Sequence, residues 1–271
     1  MKNKKTMKKT LLFSVLLISL STQAQDRLFT YTYQSNVLNK GQKELEVWST
    51  MRSGRDNFYR AFDHSLEFEV GLGGNLQTSF YLNYGYSKGI ETTNNVQSVT
   101  SDNSFSFANE WKLKLTDPVI NPVGSALYFE YKLGTDETEL EGKLILDKQI
   151  GRSTHALNIV GEYEIGKQFT PNGNSIDVKN ENEYKLEFNY GYAYKLNKNL
   201  ALGVEVMDQN TISDGNWEYS VVSTGPTLSY NIDGFWVNLT CMPQITNLKT
   251  GNLEFHDNQK LQTRLIFSYV F

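Results

Sequence analysis

The chain has 271 residues, of which 39% are hydrophobic, 13% aromatic and 21% charged, with a single Cys and a formal net charge of -4. A mean hydropathy of -0.46 excludes a bundle of membrane helices. The aromatic content excludes disorder, and the lone Cys241 excludes a disulfide framework or a Cys-based zinc site.

Residues 2–9 carry Lys2, Lys4, Lys5, Lys8 and Lys9 without an acid. The largely apolar stretch Leu11 to Leu20 follows, then Ser21-Thr22-Gln23-Ala24-Gln25. This order of basic, apolar and small residues predicts an export signal at 1–24, cut after Ala24, and no Cys follows to carry a lipid anchor. Removing five of the 26 basic residues leaves 21 against 30 acids, or -9. That is the wrong sign for a protein that displaces counterions from nucleic acid, so no nucleic-acid partner is expected. Residues 25–42 read as a periplasmic lead-in, and 43–271 as one β-domain.

From Lys43 onward, apolar and polar residues alternate. In Leu76, Thr78, Phe80, Leu82, Tyr84, Tyr86 the apolar set falls on one parity, and in Tyr184, Leu186, Phe188, Tyr190, Tyr192, Tyr194 it does so again. A helix would smear these residues around its circumference, whereas a strand gives two clean faces. Such runs predict strands at 43–52, 61–72, 76–88, 103–115, 124–134, 138–150, 154–166, 182–196, 200–208, 216–230, 234–243 and 260–271. The tenth changes phase between Trp217, Tyr219, Val221 and Leu228, Tyr230, which predicts a β-bulge near Ser223 to Pro226. Tight turns (73–75, 151–153, 197–199, 231–234, and the longer 116–123) alternate with longer polar segments at 89–102, 167–181, 209–215 and 244–259. The shorter 53–60 and 135–137 lie on the same side as those segments. The pattern is that of an all-β, transmembrane, antiparallel up-and-down barrel of about twelve strands, with short periplasmic turns and longer extracellular loops in a bacterial outer membrane.

Mid-strand charges decide which face meets lipid. A Lys or Arg facing lipid at mid-bilayer costs about 2–4 kcal/mol, so Glu67, Glu69, Glu110, Lys112, Glu130, Lys132, Glu141, Lys143, Glu162, Glu164, Glu187, Glu205 and Arg264 are expected to line the lumen. Aromatics near strand ends on the other parity (Phe62, Tyr84, Tyr86, Phe105, Tyr192, Tyr194, Trp217, Tyr219, Tyr230, Tyr269) fit interfacial girdles.

The last strand, Leu265, Phe267, Tyr269, Phe271, resembles the C-terminal signal of bacterial outer-membrane barrels. That resemblance implies an assembly signal at Tyr269 and Phe271, read by the barrel-assembly machinery. The stretch Lys40-Gly41-Gln42-Lys43-Glu44-Leu45-Glu46-Val47-Trp48, with Tyr59-Arg60-Ala61-Phe62-Asp63, is similar to an uncharacterised group of porin-like outer-membrane proteins. It implies location and fold and no functional residues.

No catalytic, cofactor or metal residue is expected. An outer-membrane lipid hydrolase needs Ser and His on one face, yet His64-Ser65 and Thr154-His155 are sequence neighbours that point to opposite faces of a strand. His256, with Glu254 and Asp257, lacks a second His at ligand spacing. The acidic pairs Glu67/Glu69, Glu139/Glu141 and Glu162/Glu164 recur around the barrel beside Lys112, Lys114, Lys132, Lys143, Lys185 and Arg264, which suits a lumen lining better than one glycosidase site. Gly71-Leu72-Gly73-Gly74 reads as a hairpin turn, not a phosphate loop. The expected function is a narrow channel for small polar or cationic solutes, with outer-membrane lipid around it. The alternatives are a closed barrel that serves as a surface scaffold or adhesin through its loops, and a lipid hydrolase.

Overall fold

A computed structural model describes residues 27–93, 96–135, 137–213 and 215–271. The signal peptide predicted at 1–24 lies outside the described residues. The strands are β1 (Lys43–Ser53), β2 (Tyr59–Gly73), β3 (Leu76–Thr93), β4 (Val96–Thr116), β5 (Gly124–Gly134), β6 (Glu137–Ile150), β7 (Ser153–Asn172), β8 (Ser175–Lys195), β9 (Leu200–Ser213), β10 (Asn216–Ile232), β11 (Phe235–Asn247) and β12 (Leu261–Val270). Each pairs antiparallel with its sequence neighbour, and β1 closes on β12 from Glu44 opposite Val270 to Ser53 opposite Leu261. The twelve strands of the periodicity are present, and closure leaves no free edge.

Alternation sorts the two faces. Leu66, Phe80, Leu82, Phe107, Phe129 and Phe188 are all exposed on the outside, whereas Glu67, Glu110 and Glu205 are no more than 1% exposed on the inside. The fold is therefore polar within and apolar without, the arrangement of a barrel dissolved in lipid. Asn109 lies on the outer parity yet is buried. It donates to Thr78 Oγ1 (3.1 Å) and the Ser79 carbonyl (2.8 Å) and accepts from Trp111 Nε1 (2.7 Å), so its amide is met without water. Outward aromatics pair across strands near both ends, as in Tyr84 with Phe105 (4.9 Å) and Tyr163 with Tyr184 (4.8 Å) toward one end and His155 with Tyr192 (5.0 Å) toward the other.

Three local expectations change. The segments 89–102 and 167–181 are mostly paired strand: Ile90 faces Val99, Thr93 faces Val96, and Lys167 to Asn172 face Asn180 to Ser175. Beyond the bilayer both faces of a hairpin are wet, so the apolar period vanishes while the backbone ladder continues. The bulge in β10 lies at Glu218, where Trp217 opposes Ile212 and Tyr219 opposes Thr211. Tyr219 thus shares the inward side of Thr211 and Val221 and leaves the girdle. A second irregularity, at Val222/Ser223, comes from the extra residue Ile245 in β11. Finally, residues 27–38 do not stand below the barrel as a lead-in. They turn into its lumen, where Phe29, Thr30, Thr32 and Ser35 are fully buried.

Leu82, 63% exposed on the outer face, sits six residues into β3. At about 3.3 Å per residue and a strand tilt of about 40° it reaches roughly mid-bilayer. Leu82→Arg is expected to cost about 2–4 kcal/mol of barrel stability, read as a lower urea midpoint for folding into vesicles.

Candidate functional site: a clasped plug in the lumen

The plug is an irregular segment, without regular secondary structure, whose backbone groups are met by lumen side chains. Glu205, on β9, gathers five donors. Its Oε1 accepts from Thr30 N (2.9 Å), Thr30 Oγ1 (3.2 Å) and Thr240 Oγ1 (2.6 Å), and its Oε2 accepts from Tyr31 N (2.8 Å) and Thr32 N (2.8 Å). Three successive backbone N–H groups converging on one carboxylate are charge-assisted bonds in a dry setting. Two strands away, Asn158 of β7 takes the place of a neighbouring strand, accepting from Tyr33 N (2.6 Å) and donating to the Tyr33 carbonyl (2.9 Å). Gln77 accepts from Leu38 N (2.9 Å).

Side chains lock the same segment. Arg27 pairs with Glu46 at 3.2 Å and lies over the rings of Trp48 (4.5 Å) and Tyr33 (4.6 Å). Phe29 packs with Ala156, Ala193 and Ala201. Gly191 admits it, because a Cβ there would lie 2.8 Å from the Phe29 ring. Tyr31 packs on Met207 and Met242 beneath the Arg264 guanidinium (4.0 Å). These contacts fall in the half of the barrel nearer the short turns. The space left among Arg27, Tyr33, Gln34, Glu69 and Lys112 holds no more than about one water.

Every charged residue expected in the lumen lies on the inward parity, but they form two environments. Glu67, Glu69, Glu110, Lys112 and Glu205 are buried against the plug. Higher in the barrel, Lys185 bridges Glu162 (2.6 Å) and Glu164 (2.9 Å), and these side chains keep 16–22% exposure. Lys132 pairs with Glu139 and with Glu137 (3.1 Å). Lys143 pairs with Glu141 (2.9 Å) and faces the Tyr33 ring at 4.2 Å. Glu130 accepts from Tyr128 Oη (2.5 Å) and Glu187 from Asn189 Nδ2 (2.5 Å). Arg264 donates to Thr50 Oγ1 (2.9 Å) and the Thr30 carbonyl (3.3 Å). Water thus reaches the upper wall and is excluded from the lower one.

The connection 248–260 bends over the upper mouth, where Gln244 Nε2 donates to the Glu254 carbonyl (2.7 Å). Burial pushes the Glu254 carboxyl up. The Asn258 side chain (2.6 Å), with the backbone N–H groups of Asp257, His256 and Asn258, outweighs that and holds it below the usual carboxylate range. The histidines lie away from the lumen. His64 stacks on outward Phe62, His155 shares a bond with Tyr190 Oη (2.8 Å), and His256 is exposed beside Asp257.

Sequence reasoning missed the plug residues. The available signal was the run Phe29-Thr30-Tyr31-Thr32-Tyr33, in which every other residue is aromatic, an unusual density for a connecting segment.

The profile of a family described as Family of unknown function (DUF6662) matches residues 21–271. No curated protein matches the sequence. Among solved structures, the COG4313 outer membrane channel from Pseudomonas putida F1 is similar at a TM-score of 0.62 and 10% identity, over 90% of this chain and 100% of that one. The translocator domain of the autotransporter NalP from Neisseria meningitidis is similar at 0.55 and 8%, over 88% and 91%. The KdgM porin in complex with disordered oligogalacturonate is similar at 0.52 and 11%, over 84% and 99%. At such identities the likeness is one of fold, and the fold is that of porin-like outer-membrane barrels.

Proposed function

The chain belongs to the DUF6662 family, and we propose that it is an outer-membrane channel for small polar or cationic solutes, held shut in its lower half by residues 27–38. The observation that carries this reading is the Glu205 clasp. It holds the plug by hydrogen bonds to its backbone, which can be exchanged for water. Displacing the plug would join the wetter upper lumen to the opposite mouth. Nine glutamates against four bases among the expected lining residues favour cations in the opened path. Export through the signal at 1–24 and assembly through outward Tyr269 and Phe271, each 55% exposed, belong to the same reading.

The test is conductance of the refolded protein without residues 1–24 in a planar bilayer under a salt gradient. Rare cation-selective steps in the native chain, made frequent when the clasp is cut, support the channel. A bilayer silent in both cases removes it. Function would then move to the projecting β3–β4 and β7–β8 hairpins, whose exposed Val96, Val99, Ile176 and Val178 favour a surface-scaffold role.

A further inference from the structure

Five carboxylates crowd the lumen wall formed by β1 to β4. Glu44 accepts from Trp236 Nε1 (2.6 Å) and from Ser268, and Glu46 from Trp48 Nε1 (2.7 Å) and Arg27. Glu69 accepts from Gln77 Nε2 (2.8 Å), and one oxygen of Glu110 accepts from Tyr81 Oη. Glu67 is different. It is fully buried, and among the described residues neither of its oxygens meets a hydrogen-bond donor; the second oxygen of Glu110 lacks one too. Arg27 pairs with Glu46, Lys112 borders the same space as Glu69, and Arg264 lies over Trp48, fewer positive charges than the five carboxylates. An uncompensated buried carboxylate is costly unless a proton or an ion joins it.

We propose that Glu67, Glu69 and Glu110 hold a divalent cation of the calcium class. Their carboxylate oxygens lie within 4.8 Å of one another, close to the span of two oxygens bound across one calcium ion at about 2.3–2.6 Å each. The donor set is all oxygen, which selects hard cations over zinc or copper. The two oxygens of Glu67 are available for bidentate binding, and the free oxygen of Glu110 completes a cradle formed by β2 and β4. Glu69 also borders the small space beside Arg27 and Tyr33. The acidic group Glu139, Glu162 and Glu164 is not equivalent, because Lys132 and Lys185 already occupy its oxygens. The site stands independently of whether the lumen conducts.

The test uses the refolded full barrel stripped with chelator. Terbium is added and excited through Tyr81 and Trp48, whose rings lie 6.4 Å apart beside the cradle, and thermal unfolding is then compared in calcium and in chelator. The expected result is one terbium per chain, displaced by calcium, and a higher unfolding temperature in calcium. Both effects should be lost in Glu67→Gln and kept in Glu162→Gln. If Glu67→Gln does not fold, Glu110→Gln and the ion stoichiometry of the native chain decide in its place. No terbium signal and no calcium shift in the native protein would overturn the proposal, leaving a proton shared between Glu67 and Glu69. A shift that survives Glu67→Gln and disappears in Glu162→Gln would also overturn it, by placing the ion in the upper cluster.

Discussion

Glu205→Ala is expected to unseal the barrel, turning rare conductance steps into sustained opening. The substitution removes the acceptor of five donors, three of them consecutive backbone N–H groups of the plug. A buried donor left unmet costs about 1–3 kcal/mol. The segment from Thr30 to Thr32 therefore gains more by leaving the wall for water than by staying. What remains, Asn158 on Tyr33, Gln77 on Leu38, Arg27 on Glu46 and the packing of Phe29 and Tyr31, does not replace the acceptor lost by these three backbone N–H groups. The measurement is single-channel recording, with heat-modifiable migration on gels to show that the barrel itself has folded. Gly191→Val attacks the plug from β8, where Gly191 lies directly beside Glu205, since its side chain would occupy the place of the Phe29 ring, and it should open the same path. Folded barrels of both variants that remain as closed as the native chain would show that the plug is not what closes the lumen.

Gly225→Ala is expected to prevent closure of the barrel or to cost on the order of 3–5 kcal/mol. A Cβ on Gly225 would lie 1.8 Å from the Cys241 carbonyl oxygen and 2.8 Å from its carbon. Both are backbone atoms of the neighbouring strand and cannot turn aside as a side chain does. The crowding arises beside the β10–β11 irregularity at Val222/Ser223 and between Pro226 and Pro243, which donate no ladder bond. Gly161→Ala is the matched control. Nothing lies within 4 Å of its Cβ position, so heat-modifiable migration should be retained there and lost at Gly225. Equal behaviour of the two variants would contradict the steric account.

The sequence by itself determined the number of strands, their order and, in their membrane-spanning parts, the face shown by most residues. Side-chain alternation has a period of two wherever one face is wet and the other is not, and that signal is local. It is why Glu67, Glu205 and Arg264 could be placed inside from their parity alone, and Phe267, Tyr269 and Phe271 outside. Three features needed the closed barrel. The hairpin tips at 89–102 and 167–181 keep their ladder after the apolar period ends, so hydrogen bonds and not hydropathy define them. The bulge at Glu218 depends on which residues β9 presents to β10, and Tyr219 changed sides with it. The plug depends on closure most of all. The acceptors that hold residues 27–38, Glu205, Asn158 and Gln77, lie 39 to 175 residues away in the chain. Those acceptors form a cavity only once β1 meets β12, and a polar cavity of that size makes this twelve-residue segment, with its alternating aromatic and threonine residues, more stable inside the barrel than in water.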